Sequence, residues 1–230
     1  MMQRIPGLFI TGTDTGVGKT YVAAIIARRL AAEGRKVGIY KPAASGCSPI
    51  DGVLVSDDAV ALWNAAGRPG QLDRVCPQCF AAPLAPHLAA LAEGRRLDAG
   101  RLRQGIEYWR ERSEIILVEG AGGLMSPLGE DEYVADLVEE FGFPLVVVAR
   151  NALGTINQTL QTLIAAAVFR KGLPIAGVVL NHPAIPPADD VSLSKNREEL
   201  AARCVPPILA EVAWGADEAD GKVDWFSLAR

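Results

Sequence analysis

A doubly wound α/β domain with a mostly parallel sheet is the fold class this sequence predicts. Three observations point there. Short apolar runs recur along the chain without period-two alternation, the pattern of strands covered on both faces. Helical periodicity fills the intervals between them. A glycine-rich turn joins the first run to the first helical pattern.

In order, Leu8–Thr11 reads as a strand, Lys19–Ala32 as a helix stopped by Gly34, and Val37–Tyr40 as the next strand. Asp57–Ala66 and Arg101–Arg112 read as helices before the strand Ile115–Val118. The helix Val134–Phe141, the strand Leu145–Val148 and the helix Ile156–Lys171 follow. The strand Ala176–Leu180 and the helix Ser192–Arg203 end the alternation. Alternating strands and helices make one α/β layer system, taken here as a single domain over residues 1–230. The segments 69–86 and 182–190 are proline-rich and looser.

The chain has 230 residues, half of them hydrophobic, enough for one sizeable core. A net charge of -4 gives no electrostatic case for nucleic acid. Apolar runs such as Leu145–Ala149 fall far below the ~18 residues of a spanning helix, so no membrane partner is expected. The first residues lack a signal-peptide pattern, which makes the cytoplasm the expected compartment.

In open parallel sheets, ligands bind beyond the carboxyl ends of the strands. The residues to read together are therefore 11–20, 41–45, 119–123, 150–157 and 181. The first set contains "GTDTGVGKT", which carries one residue more than the phosphate loop G-x-x-x-x-G-K-S/T. Its backbone N–H groups and the following helix N-terminus suit phosphate oxygens. Lys19 would reach the terminal phosphates and the Thr20 hydroxyl would ligate Mg²⁺. Glu119 closes a strand before Gly120, Ala121 and Gly122, a place for a Mg²⁺-binding carboxylate. Asp57 and Asp58 open a helix, where capping and dipole complementarity compete with metal binding. Lys41 lies on the ligand edge, suited either to an anion or to solvent. Asn181 could pair with adenine or cap a turn.

Of the four cysteines, Cys47, Cys76, Cys79 and Cys204, two form Cys76-Pro77-Gln78-Cys79. No second pair completes a zinc cage, His87 and His182 are too scattered, and proline-rich sequence rather than a helix follows. Ordinary reduced thiols are the expectation.

Taken in order, "GTDTGVGKT", "YKPAASG", "SDDAVAL", "PLAPHLAA", "VEGAGG" and "NALGTINQTL" resemble the dethiobiotin synthetases. The resemblance is good from Phe9 to Asn181 and looser beyond. Related partitioning-type ATPases carry a lysine five residues before the loop lysine, where this chain has Asp14. The rebuilt front half of the loop thus fits a small second substrate.

The resemblance implies a homodimeric ligase of the P-loop NTPase type. It implies ATP- and Mg²⁺-dependent carboxylation and ring closure of 7,8-diaminononanoate with CO2. By the same resemblance, Lys19, Lys41, Thr15 and Ser45 match catalytic positions. Thr20, Asp58 and Glu119 match Mg²⁺ ligands. ATP would meet residues 14–21 (Asp14, Thr15, Gly16, Val17, Gly18, Lys19, Thr20, Tyr21), Asp58, Glu119, Gly120, Ala121, Gly122 and Asn181. The tail residues Val212, Ala213 and Trp214 would join the adenine pocket. Substrate would meet Ser45, Gly122, Gly154, Thr155, Ile156 and Asn157, the last four across a dimer interface.

There are departures: Gly16 stands where some members are acidic, and Cys76–Phe80 replaces a segment usually like Asn-Pro-Tyr-x-Phe. Two rival readings share the fold. A partitioning-type switch ATPase calls for a lysine at position 14 and a basic or membrane-facing element. A cobyrinate-type amide synthetase calls for a glutaminase domain, for which 230 residues leave no room.

Overall fold

The computed structural model describes residues 5–187 and 189–230. The first half runs β1 (Gly7–Gly12), α1 (Lys19–Ala32), β2 (Val37–Tyr40), β3 (Ser48–Ile50), β4 (Val53–Val55), α2 (Asp57–Ala65), α3 (Leu72–Val75), α4 (Pro86–Ala92), α5 (Ala99–Gln104) and α6 (Glu107–Arg110). Then come β5 (Ile115–Gly123), α7 (Val134–Phe141), β6 (Leu145–Arg150), α8 (Thr155–Val168), β7 (Ile175–Asn181), α9 (Leu193–Arg203), β8 (Ile208–Val212) and α10 (Trp225–Leu228).

Six strands form one sheet in the order β2-β5-β1-β6-β7-β8, with every pairing parallel. The chain leaves β1 toward β2 on one side and later continues through β6 to β8 on the other. The carboxyl end of β1 therefore lies at the reversal of strand order, where such sheets bind ligands. The continuous apolar runs are explained by burial: every residue of β1 and β2 is buried, as are Ile115–Gly120 of β5. Helices cover both faces, and one continuous core joins Phe9, Ile26, Val118, Val147 and Val179.

Three boundaries differ from expectation. The predicted helix Arg101–Arg112 is broken into α5 and α6. Tyr40 lies against the break: its hydroxyl donates toward the carbonyls of Arg101 and Leu102 at 3.0 and 2.8 Å. A Cβ on Gly105 would lie 2.4 Å from that hydroxyl, so glycine permits the approach. Strand β5 continues past Glu119 to Gly123, because Gly120 packs where a Cβ would meet Val134 and Phe9. Helix α8 stops at Val168, since Arg170 takes a positive φ of 50° and breaks the helical run.

The sheet also gains β8, and a β3–β4 hairpin turns at Asp51-Gly52 with φ of 49° and 78°. Those paired positive values are what a two-residue primed turn demands.

Candidate active site

The loop after β1 ends at Gly18, whose φ of 90° starts α1 with no side-chain cap on its first N–H groups. An uncapped helix start carries unpaired donors and partial positive charge, which suits phosphate. Gly18 must be glycine, because a Cβ there would lie 2.1 Å from the Asn181 amide nitrogen. The Lys19 side chain folds back over the loop and donates to the Asp14 carbonyl at 3.0 Å. The Asp14 carboxylate accepts from the Thr15 N–H at 2.7 Å, so its side chain shapes the loop front.

Beside this loop, charged groups converge on the ends of β2, β5 and α2. Lys41, 3% exposed, places Nζ 2.5 Å from Glu119 Oε1 and 3.0 Å from Asp58 Oδ2. Thr20 donates to the same Glu119 oxygen at 2.9 Å. The cap of α2 is Ser56, whose hydroxyl accepts from the Ala59 N–H at 3.3 Å. Asp58 is thus free of the capping duty its position suggested, and it faces Lys41 from the first turn of α2.

Burial alone would lower the Lys41 pKa, but the charges of Glu119 and Asp58 outweigh burial and hold it above the ordinary lysine value. Burial would raise Asp58, and the Lys41 ammonium more than offsets that, keeping it below the usual carboxylate value. Burial dominates at Lys19, lowering it despite the attraction of Glu119.

The oxygens of Thr20, Asp58 and Glu119 make a hard donor set of the kind Mg²⁺ takes together with phosphate and water. Glu119 Oε2 is buried with no hydrogen-bond partner, the observation that makes these residues fit a cation. Among the described residues no cluster of three or more His, Cys, Asp or Glu could hold a metal. The donor set is therefore open and depends on other ligands to complete it.

A cleft of about 880 Å³ runs from the phosphate loop past these groups. It brings together Thr15, Gly16, Gly18, Lys19, Thr20, Tyr21, Lys41, Ser45, Asp58, Glu119, Gly120, Ala121 and Gly122. Gly16 points into open space, so an acidic residue there in a relative would project into the cleft mouth without displacing anything.

Other expected residues lie elsewhere. Val17 is core, and Asn181 is fully buried beneath the loop, donating to the Val17 carbonyl at 2.8 Å with its Oδ1 unpartnered. Val212 is buried in β8, while Ala213 and Trp214 are exposed just after it. Gly154–Asn157 begin α8 outside the cleft; Thr155 is buried and Asn157 exposed. Arg28 and Asn64 also line the cleft and were not expected. Helical spacing sets Tyr21, Ala24 and Arg28 on one face of α1, but which face meets α2 is set by packing.

A strap explains the unusual Cys76–Phe80 segment. Lys41 N–H donates to the Val75 carbonyl at 2.8 Å, Ala44 N–H to Gln78 at 2.9 Å, and Cys47 N–H to Phe80 at 2.9 Å. Phe80 N–H returns a bond to the Ala44 carbonyl at 3.0 Å. The segment therefore backs the loop that carries Lys41 and Ser45. Gln78 anchors it through two bonds to the Asp98 backbone, at 3.0 and 2.8 Å.

A family model described as an AAA domain matches residues 6–219. The ATP-dependent dethiobiotin synthetase BioD of Rhodopirellula baltica is 41% identical over 215 residues, covering 89% of this chain and 82% of that protein. This chain belongs to the dethiobiotin synthetase family. A second synthetase, from Anaeromyxobacter dehalogenans, is 45% identical over 213 residues, with 93% and 92% of the two chains covered.

Solved structures share the fold at low identity. A ParA family ATPase from Chlorobium tepidum superposes with TM-score 0.53 at 17% identity, over 90% of this chain and 82% of that one. Chloroplast FtsY from Physcomitrella patens gives 0.53 at 17%, over 97% and 64%. The mostly parallel sheet with flanking helices is thus the P-loop NTPase type. Within it, the dethiobiotin synthetase family member carries Asp14 exposed at the loop front.

Two expectations arise here. Glu119→Gln should raise the Mg²⁺ concentration needed for half-maximal turnover by about tenfold, the order seen when support of a metal site is lost. An unchanged Mg²⁺ titration would remove Glu119 from the metal site. The second concerns Lys19. Phosphate beside Lys19 favours its ammonium form, so ATP binding should take up a proton at pH below the ordinary lysine value of 10.5. ATP affinity should correspondingly fall as pH rises through that window. Calorimetry in buffers of different ionisation enthalpy measures the uptake; proton release instead would refute the assignment.

Proposed function

We propose that this chain, as a single domain, converts 7,8-diaminononanoate, CO2 and ATP to dethiobiotin, ADP and phosphate. The observation that carries the reading is the Lys41–Glu119–Asp58–Thr20 cluster beside the phosphate loop, with Lys41 and Glu119 buried, in a chain 41–45% identical to named synthetases.

One amine adds to CO2 and loses a proton, giving a carbamate. A carbamate oxygen attacks the γ-phosphorus and ADP leaves, which yields a carbamic-phosphoric anhydride. The second amine attacks the anhydride carbonyl, loses its proton and expels phosphate, closing the cyclic urea. Negative charge concentrates where carbamate meets phosphate, so fixed positive charge does most of the work. Lys41 supplies it from the β2 end, with Ser45 on the same loop. Lys19 supplies it from the phosphate side, with Thr15 beside it. Thr20, Asp58 and Glu119 would hold Mg²⁺, which when bound neutralises phosphate charge. Asn181, Val212, Ala213 and Trp214 are proposed to border the adenine.

The active species is proposed to be a homodimer with shared sites. The support is on and just before α8, where Leu153, Ile164 and Val168 are 87%, 61% and 71% exposed. A nine-carbon substrate extends roughly 10 Å, at ~1.25 Å per methylene step. Its carboxylate is proposed to meet the α8 start of a neighbouring chain, at Gly154–Asn157, while its amines meet the lysines. Action in the cytoplasm is proposed too; among the described residues no helix is long and apolar enough to cross a membrane.

Incubation with diaminononanoate, ATP, Mg²⁺ and isotopically labelled bicarbonate should give dethiobiotin labelled at the ureido carbon. No labelled cyclic urea would refute the function.

A further inference from the structure

The C-x-x-C spacing of Cys76 and Cys79 admits redox or zinc chemistry and the surrounding sequence favours ordinary thiols, but the fold brings the two sulfurs together. The Cys79 thiol lies 3.6 Å from Cys76 Sγ, and Cys47 sits on the adjoining loop, its N–H donating to the Phe80 carbonyl at 2.9 Å. All these thiols are reduced. A second cleft, of about 780 Å³ and distinct from the active-site cleft, reaches Cys76 and Cys79. Arg74, Arg95 and Arg101 line it, with Asp73 the acidic residue among them. Two of these guanidiniums fix the turn itself: Arg101 donates to the Pro77 carbonyl at 3.2 Å and Arg95 to the Cys79 carbonyl at 3.3 Å.

We propose that Cys76 and Cys79 are a thiol-oxidation site at which an anionic small-molecule disulfide converts the pair to an intramolecular disulfide and so displaces the Lys41–Cys47 loop. The chemistry balances as thiol–disulfide exchange. One cysteine sulfur attacks the small disulfide and expels one small thiol, leaving a mixed disulfide. The second cysteine attacks the protein sulfur of that mixed disulfide and expels the other small thiol. Two protein thiols are oxidised, one external disulfide is reduced, and the two protons leave on the released thiols. The arginine rim favours an anionic oxidant such as glutathione disulfide.

The consequence follows from the strap. A disulfide needs its sulfurs about 2.05 Å apart, so the two sulfurs must close from 3.6 Å. Gln78 and Phe80, on either side of Cys79, make the backbone bonds that position Ala44 and Cys47. Backbone movement that accompanies the closure passes through those bonds to the loop holding Lys41 and Ser45. The phosphate loop makes none of those bonds. A thiol hydrogen bond from Cys47 lowers the Cys79 pKa, but the bond to Cys76 and burial push it up to about 12. The exchange should therefore quicken as pH rises.

The test treats the full-length protein with glutathione disulfide, maps cysteines by mass spectrometry and follows turnover and ATP binding. The expected result is a Cys76–Cys79 link with loss of two hydrogens. Turnover should fall by about tenfold or more, since ~1 Å of misplacement near the chemistry costs up to ~100-fold. ATP affinity should stay within about twofold, because the phosphate loop is untouched. Dithiothreitol should restore turnover, and Cys76→Ser should resist the oxidant while Cys204→Ser stays sensitive. A stable glutathione adduct without the link, or the link with unchanged turnover, would overturn the proposal. Mapping the link on unmodified protein needs neither a variant nor activity, so its absence refutes this site without touching the ligase reading.

Discussion

Replacing Lys41 with Gln should lower turnover by about 10²–10³-fold, the order of loss when one preorganised charge stabiliser is removed. ATP affinity should change little, because Lys19 and the loop N–H groups, rather than Lys41, are proposed to meet the phosphates. Lys41 also balances Glu119 and Asp58, at 2.5 and 3.0 Å. Removing its charge leaves Glu119, 2% exposed, without its cation. Breaking a buried pair costs about 3–5 kcal/mol when nothing replaces the partner; the half-exposed Asp58 reduces that here.

A cation should therefore bind the variant more readily. The Mg²⁺ titration of Lys41→Gln should shift to lower concentration, opposite in sign to Glu119→Gln. Turnover should be measured at saturating Mg²⁺, with circular dichroism confirming the fold. Wild-type turnover in Lys41→Gln would contradict the two-lysine mechanism. Lys19→Gln should weaken turnover and ATP binding together.

Mixing two inactive proteins should restore activity if sites are shared. Lys19→Gln disables the phosphate loop of one chain, and Asn157→Trp blocks the α8 start of another. Asn157 suits the test because it is exposed, whereas Thr155 is buried and a large residue there would test folding instead. Each protein alone should be nearly inactive. After subunit exchange the mixture should reach about a quarter of wild-type turnover, since two-fold pairing makes half the dimers hybrid and leaves each hybrid one intact site. Demonstrated exchange without recovered activity, or an active monomer in sedimentation, would contradict the shared site.

The sheet was legible because parallel strands buried on both faces must be apolar throughout, and Leu145–Val148 could be little else. The phosphate loop was legible because few other turns need glycine followed by Lys-Thr. The β3–β4 hairpin was missed although Asp51-Gly52 carries its turn signal, because its strands are only 3 residues each and largely exposed. The break between α5 and α6 was not legible, since it depends on Tyr40, some 65 positions away in sequence. Arg28 and Asn64 were invisible as site residues because their place comes from the packing of α1 on α2. The Asp58 assignment rested on resemblance. The fold adds the physical reason, in that Ser56 takes the capping duty and leaves Asp58 facing Lys41.

The central claim is that this site couples ATP cleavage to ring closure of a diamine carbamate. The most direct measurement is phosphate release from ATP with Mg²⁺, in the presence and absence of diaminononanoate and bicarbonate. Release should require both and should match dethiobiotin formed, one for one. Phosphate release at the same rate without the diamine would mark an uncoupled ATPase and contradict the account.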